Sequence, residues 1–342
     1  MAEGRRVGRI AYIDILKGAA AFLVVLGHIV AYDADFHRLY NIIYSFHMPL
    51  FMFLSGCTAE LSYRGKTGTE AGYLKKRFVN VMVPYFAWAF LLPIISAESF
   101  VRINWRSVVV KTFVTNRMFW FLPTLYGLIV LYVCYRRLGD WFRKRKECLA
   151  KNRKAALFVD SISCMAVVGV VVVLMLLTGY QLFRDIVAFA IPFFAAVMYM
   201  EHEWVHELFH KQVSVIAALV IYVLLIGRFD FDKVSVETSL LRMLLGMCAV
   251  VVLLYISDKL RPDRLAARGL SFWGRYSLLI YILHVQIMRG SGILKIDFQS
   301  KVCTLLLFCA ISCLVCFISS VLALVLERIP VVRTVLLGKR GN

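Results

Sequence analysis

Three histidines fall inside apolar stretches of the chain, His28, His47 and His284. Imidazole is the side chain best suited to take up and return a proton near neutral pH. Lys17 stands eleven residues before the first of them, and Asp14 three before that. On a helix, eleven residues return to nearly the same face about 16 Å further along the axis, and Asp14 falls within about 40° of that stripe. One helix face would therefore carry a carboxylate, an ammonium and an imidazole, the parts of a proton- or group-transfer site. Charges in apolar helices are costly to keep and mark functional positions, the competing reading being an Asp14–Lys17 ion pair and a histidine at headgroup level.

The other two histidines have suggestive neighbours. His47 lies in Ser45-Phe46-His47-Met48-Pro49, where the proline is expected to free a carbonyl toward a cavity. Ser55-Gly56 follows, small enough for a close helix approach. His284 is preceded by Ser277 and Tyr281, spaced four and three apart and so on one helix face.

The elements that must hold these groups are helices in a membrane. Of the 342 residues 61% are hydrophobic, and the charge, formally +19, falls in short basic runs between apolar stretches. That pattern is a membrane protein's, and it argues against a nucleic-acid partner. A span of hydrocarbon needs about 20 apolar residues, and ten stretches meet or approach that length. They run near Ile10–Tyr32, Leu39–Leu61, Phe78–Ile95, Phe119–Tyr135, Ala156–Tyr180, Phe183–Met200, Val213–Gly227, Thr238–Ser257, Ser271–Met288 and Val302–Glu327. The expected fold is an all-α polytopic bundle of about ten transmembrane helices, one domain over residues 1–342 with short basic tails at 1–9 and 329–342. The inner connections of that arrangement hold more than twice as many Lys and Arg as the outer ones, which puts both termini in the cytoplasm. The three histidines then share a depth in the outer half. No cleavable leader is apparent, because Asp14 and Lys17 interrupt the first apolar stretch.

Two motifs point elsewhere. His202-Glu203-Trp204-Val205-His206 is an H-E-x-x-H pattern, which on a helix suits zinc peptidases, and His210 extends it. The competing reading is an amphipathic segment with histidines at the headgroups. Cys313-x-x-Cys316 has redox spacing but lies in an apolar run, so it is read as packing. No metal is expected. Arg143-Lys144-Arg145-Lys146 is read as a topology anchor, with lipid or nucleotide phosphate as the sharper alternative.

Several blocks then resemble a known family, the membrane-bound acyltransferase-3 proteins. They are Arg9-x-x-Tyr12-x-Asp14-x-x-Lys17-Gly18, Leu26-Gly27-His28, Phe46-His47-Met48-Pro49-Leu50-Phe51, Leu54-Ser55-Gly56, Lys76-Arg77 leading to Pro84-Tyr85, Trp120-Phe121-Leu122-Pro123, and Ser277 to His284. The Asp-x-x-Lys-Gly and His-Met-Pro forms look closest to the fucose 4-O-acetylase-like sugar O-acetyltransferases. The resemblance implies a cell (inner) membrane enzyme that takes acetyl or another short acyl group from acyl-CoA, here acetyl-CoA, and delivers it to a hydroxyl of a surface glycan or its lipid-linked precursor. It implies His28 as general base, with Lys17 and Asp14 on its helix. Lys75, Lys76 and Arg77 would meet the coenzyme A phosphates, as basic groups suit a polyanion. His47, Ser45, Ser55, His284, Tyr281, Trp120 and Arg117 are further candidates for catalysis or acceptor binding. The chain departs from the family at Asn80, where members often carry a second arginine. A glycolipid transporter or flippase, and an intramembrane zinc peptidase using His202, Glu203 and His206, are the competing functions.

Overall fold

The computed structural model describes residues 2–66, 68–96, 103–115, 119–145, 153–233, 235–291 and 300–339. Every regular element among them is helical. In chain order the α-helices are α1 (Ala2–Val30), α2 (His37–Arg64), α3 (Glu70–Ser96), the short α4 (Trp105–Val109), α5 (Phe121–Arg145), α6 (Arg153–Thr178), α7 (Gln181–Glu201), α8 (Glu203–His210), α9 (Gln212–Ile226), α10 (Val236–Lys259), α11 (Leu265–Arg275), α12 (Ser277–Ser291), α13 (Lys301–Glu327) and α14 (Pro330–Leu337). Among the described residues eight helices are long and apolar enough to cross a membrane, and a ninth crossing arises if α8 and α9, bent by 61°, act as one. Leu176, Leu177, Val213 and Leu224 each expose more than 70% of their surface, which in water would be an aggregation hazard and in lipid is ordinary. The chain is an all-α polytopic membrane protein.

Two of the expected spans run differently. The stretch Ser271–Met288 is not one helix: α11 ends at Arg275, Tyr276 leaves helical geometry, and α12 starts at Ser277. The break lets α11 lie against α1 with backbones touching. A Cβ on Gly18 would sit 1.8 Å from the Leu270 carbonyl oxygen, and one on Gly274 1.9 Å from that of Asp14. Hydrogen is the only side chain either position admits. Gly274→Ala is expected to cost about 1–3 kcal/mol or more by overpacking, read as a lowered thermal midpoint in nanodiscs. At the ends of the chain, residues 2–9 continue α1 and 330–337 form α14.

The fourth apolar stretch, expected to end at Tyr135, runs on to Arg145 because tertiary partners neutralise its charges. Glu60, fully buried in α2, pairs with Arg136 and with Arg64, whose Nε lies 2.5 Å from Oε1. Tyr132 Oη donates to Glu60 over 2.6 Å, and Arg136 reaches on to Glu201 at 2.7 Å. Arg137 pairs with Glu70 and Arg143 with the buried Asp160. These pairs define a basic end of the bundle, the end that the charge bias assigns to the cytoplasm. Arg143 of the basic run is thus held in an ion pair, while Lys146 lies outside the described residues.

Helix α2 threads the bundle between α7 and α10. Gly56 meets the Phe193 backbone of α7, where a Cβ would approach to 2.4 Å, so the small pair Ser55-Gly56 does allow close contact. Pro49 leaves the Ser45 carbonyl without its helical donor. That carbonyl faces Gly246 of α10 and not a cavity, for Gly246 packs directly on the proline ring.

Candidate active site

His28, near the end of α1, is half-buried, and its ring centroid lies 4.8 Å from that of His284 on α12. Tyr44 of α2 also reaches it, with Oη 3.5 Å from His28 Nδ1. His47, one helical turn along α2, sets its ring 4.8 Å from that of Tyr44. The three histidines expected at one depth therefore meet in one layer, joined through Tyr44. His47 Nδ1 lies 2.7 Å from the Ile43 carbonyl oxygen, and His284 Nδ1 3.0 Å from that of Ile280. A carbonyl only accepts, so each Nδ1 carries the proton and, in the neutral ring, Nε2 carries the lone pair. His284 Nε2 is buried without a hydrogen-bond partner. The layer thus offers bases and few donors.

Toward the basic end, a cavity of about 170 Å³ is lined by Lys17, Ser55, Asn80, Phe121, Ser277 and Tyr281 among others. Tyr281 links it to the histidine layer: its ring lines the cavity and lies 6.3 Å from the His284 ring. Lys17 is not held by an ion pair to Asp14. Its Nζ donates to Thr58 Oγ1 at 2.8 Å, and the Asp14 charge acts from further off on both Lys17 and Arg275. Asp14 is not among the residues lining the cavity; its backbone is the surface on which Gly274 packs.

Of the three basic residues that open α3, Lys75 and Lys76 are exposed, whereas Arg77 turns inward across the Tyr73 ring at 5.2 Å. Its Nε is buried without a partner, and its charge reaches Lys17. Asn80, one turn on, has an assigned structural task. In the amide orientation that satisfies both partners, its nitrogen donates to the carbonyls of Gly338 and Lys76, 3.0 Å each. Gly338, at a φ of 63° that favours glycine, ends α14 against the Asn80 backbone, and Trp88 Nε1 donates to the Leu336 carbonyl at 2.9 Å. The chain's last helix is so fastened to α3 beside the cavity.

Not every expected residue belongs here. Ser45 is buried and bonds to Tyr222 of α9 at 2.9 Å and to the Ile42 carbonyl, a helix-to-helix tie. Trp120 stacks on Phe189 at 5.4 Å, while its neighbour Phe121 lines the cavity. Arg117 lies outside the described residues. The H-E-x-x-H segment does not lie on one helix, because His202 adopts extended geometry between α7 and α8. His202 Nε2 sits 3.2 Å from Asp160, whereas His206 stacks on Tyr199 and His210, and His210 pairs with Asp258 at 2.8 Å. Two groups of three ligand atoms converge among the described residues, His37–Asp230–Asp232 and Asp160–Glu201–His202. Neither includes Glu203 or His206, so a zinc peptidase gains no support.

Tyr44 and Arg242 were not singled out from sequence as site residues. Tyr44 could have been found three residues before His47, and Arg242 as a lone charge in Leu-Leu-Arg-Met-Leu-Leu. A family model described as an acyltransferase domain, acyltransferase-3, matches residues 10–323. No curated protein and no solved structure matches the chain.

Proposed function

Since the chain belongs to the acyltransferase-3 family and is a membrane acyltransferase, we propose that it carries acetyl, or another short acyl group, from cytoplasmic acyl-CoA to a hydroxyl of a surface glycan or its lipid-linked precursor. Its place would be the cell (inner) membrane, with both termini inside. The observation that carries the proposal is the layer of His28, His284 and Tyr44 next to a cavity lined by Lys17, which the charge of Arg77 reaches.

On this path the coenzyme A phosphates meet Arg77 at the basic end, with Lys75 and Lys76 at the rim. The pantetheine arm passes Lys17 and the thioester reaches the histidine layer. His28 takes the proton of the acceptor hydroxyl as the oxygen attacks the thioester carbonyl. The tetrahedral intermediate collapses, the C–S bond breaks, and the leaving thiolate recovers the proton from His28. The products are an O-acyl ester and coenzyme A thiol. The lone pair on His284 Nε2 suits an N–H of His28, which makes His284 a positioning residue. Lys17 lies about 16 Å along the helix from His28, too far to act on the same atom. Its role is to guide the donor.

Arg77→Gln is expected to raise KM for acetyl-CoA roughly 10- to 100-fold with a smaller change in kcat, since a charge-assisted bond contributes about 1.5–3 kcal/mol. Lys75→Gln, on an exposed residue, should shift KM only slightly. Steady-state kinetics at varied donor concentration separate the two.

The deciding experiment feeds acetyl-labelled coenzyme A to inside-out vesicles that contain the protein, with membranes lacking it as control. Label in glycan or glycolipid only when the protein is present supports the transferase. Unchanged donor, with glycolipid moved between leaflets, would establish a transporter instead.

A further inference from the structure

Arg242 stands in α10 about 9 Å from the helix start, at the end of the bundle remote from the basic one. Its guanidinium carbon lies 5.0 Å from the Phe189 ring and 5.5 Å from the Phe231 ring. Nε is buried and hydrogen-bonded to nothing. Among the described residues no carboxylate lies within ion-pair distance of it. Asp185 is the acid whose charge reaches it, and Asp185 accepts a bond from Gln181 at 2.9 Å. The contrast with the basic end is sharp, for Arg136, Arg137 and Arg143 each hold a carboxylate. A guanidinium kept unpaired in a spanning helix is costly and needs an anion.

The rings around Arg242 lead to the catalytic layer. Trp120 stacks on Phe189, and Phe231 packs on Tyr44 at 4.5 Å and on Tyr40 at 5.7 Å. Tyr44 in turn touches His28. The charge of Arg242 acts on both Tyr44 and His47. Further out, Asp230 and Asp232 form the rim, already engaged by His37, Lys233 and Tyr40. Arg242 thus stands beside a run of aromatic rings, Phe189, Phe231 and Tyr44, that reaches His28.

We infer that Arg242 binds an anionic group of the acceptor, a sugar carboxylate or a phosphate, and so selects acidic acceptors over neutral ones. The inference rests on the transfer reaction proposed above. The guanidinium holds the anion bidentately while the sugar ring lies along Phe231 and Tyr44, which turns one hydroxyl toward His28. Arg242 is a specificity residue and takes no part in the proton transfer.

The test measures binding in nanodiscs with no donor present, by saturation-transfer NMR. The probes are methyl glucuronide, methyl galacturonide, the 6-phosphates of methyl glucoside and methyl galactoside, and the two neutral methyl glycosides. Wild type is expected to bind at least one acidic probe with Kd tenfold or more below its neutral counterpart. Preference for carboxylate or for phosphate identifies the source of the anion. Arg242→Gln should reduce that ratio below twofold, and Arg242→Lys should keep part of it. If the Gln variant does not fold, the Lys variant and competition by inorganic phosphate on wild type give the same reading. Equal affinity for acidic and neutral probes, no binding of any acidic probe, or a ratio unchanged in Arg242→Gln would overturn the inference. Such a failure leaves the transferase untouched, because acetyl-CoA consumption is measured separately.

Discussion

Replacing His28 by alanine is expected to lower acyl transfer by roughly 10²–10⁴-fold, about 3–5 kcal/mol of barrier, while the donor's KM stays within a few-fold. Arg77 and Lys17, the expected donor contacts, lie in or near the cavity at the other end of the path, so removing the imidazole leaves them in place. His284→Ala should cost less than His28→Ala, because a positioning residue acts only through the base. His28→Asn is the informative companion, since it keeps a polar group near Tyr44 and still cannot take a proton. Single-turnover transfer of labelled acetyl in nanodiscs checks all three. Equal rates for wild type and His28→Ala would remove His28 from the chemistry and turn attention to His47 or His284.

Glu60→Ala is expected to be the most destabilising substitution outside the histidine layer, at about 3–5 kcal/mol. Glu60 is fully buried and holds Arg64, Arg136 and Tyr132 at once. Its loss leaves Arg136 in the bundle with Glu201 as its remaining carboxylate. Glu60→Gln keeps an acceptor for Tyr132 and should cost less. Replacing Glu60 and Arg136 together by leucine and methionine should recover much of the loss, since a buried pair exchanged for apolar groups is often close to neutral. Unfolding in mixed micelles, followed by tryptophan fluorescence, gives the order Glu60→Ala below Glu60→Gln below wild type. If Glu60→Ala unfolds with the wild type, the network contributes nothing to stability.

The histidine layer was legible because it depends only on helical periodicity and on the direction in which each span runs. His28, His47 and His284 needed no side-chain detail to fall at one depth. The partners of the charges were not legible in the same way. Asp14 and Lys17 share a face at three-residue spacing, yet the ammonium bonds to Thr58 of the next helix, a choice set by the way α1 meets α2. The end of α5 was misplaced because Arg136 looks like a loop charge until Glu60 is seen beside it. The H-E-x-x-H pattern failed for a local reason. Its first histidine is the hinge between two helices, and periodicity says nothing about where a helix breaks. The fine position of α11 rests on two glycines, and their purpose appears only once the facing backbone is known.

The offset of about 16 Å between Lys17 and His28 along α1 has an electrical consequence. A donor that enters from one side and an acceptor held at the other make the reaction an exchange across part of the bilayer. An acyl group, formally CH₃CO⁺ in the acetyl case, moves outward from sulfur to oxygen. One proton moves inward from the acceptor oxygen to the thiol of departing coenzyme A. The two displacements carry the same formal charge in opposite directions and so cancel, and the coenzyme's phosphates stay on the side where they began. A single charge crossing against 100 mV would add about 2.3 kcal/mol, and here none crosses. On this path, membrane voltage neither drives nor opposes the chemistry, and the free energy of the thioester alone carries the acyl group across.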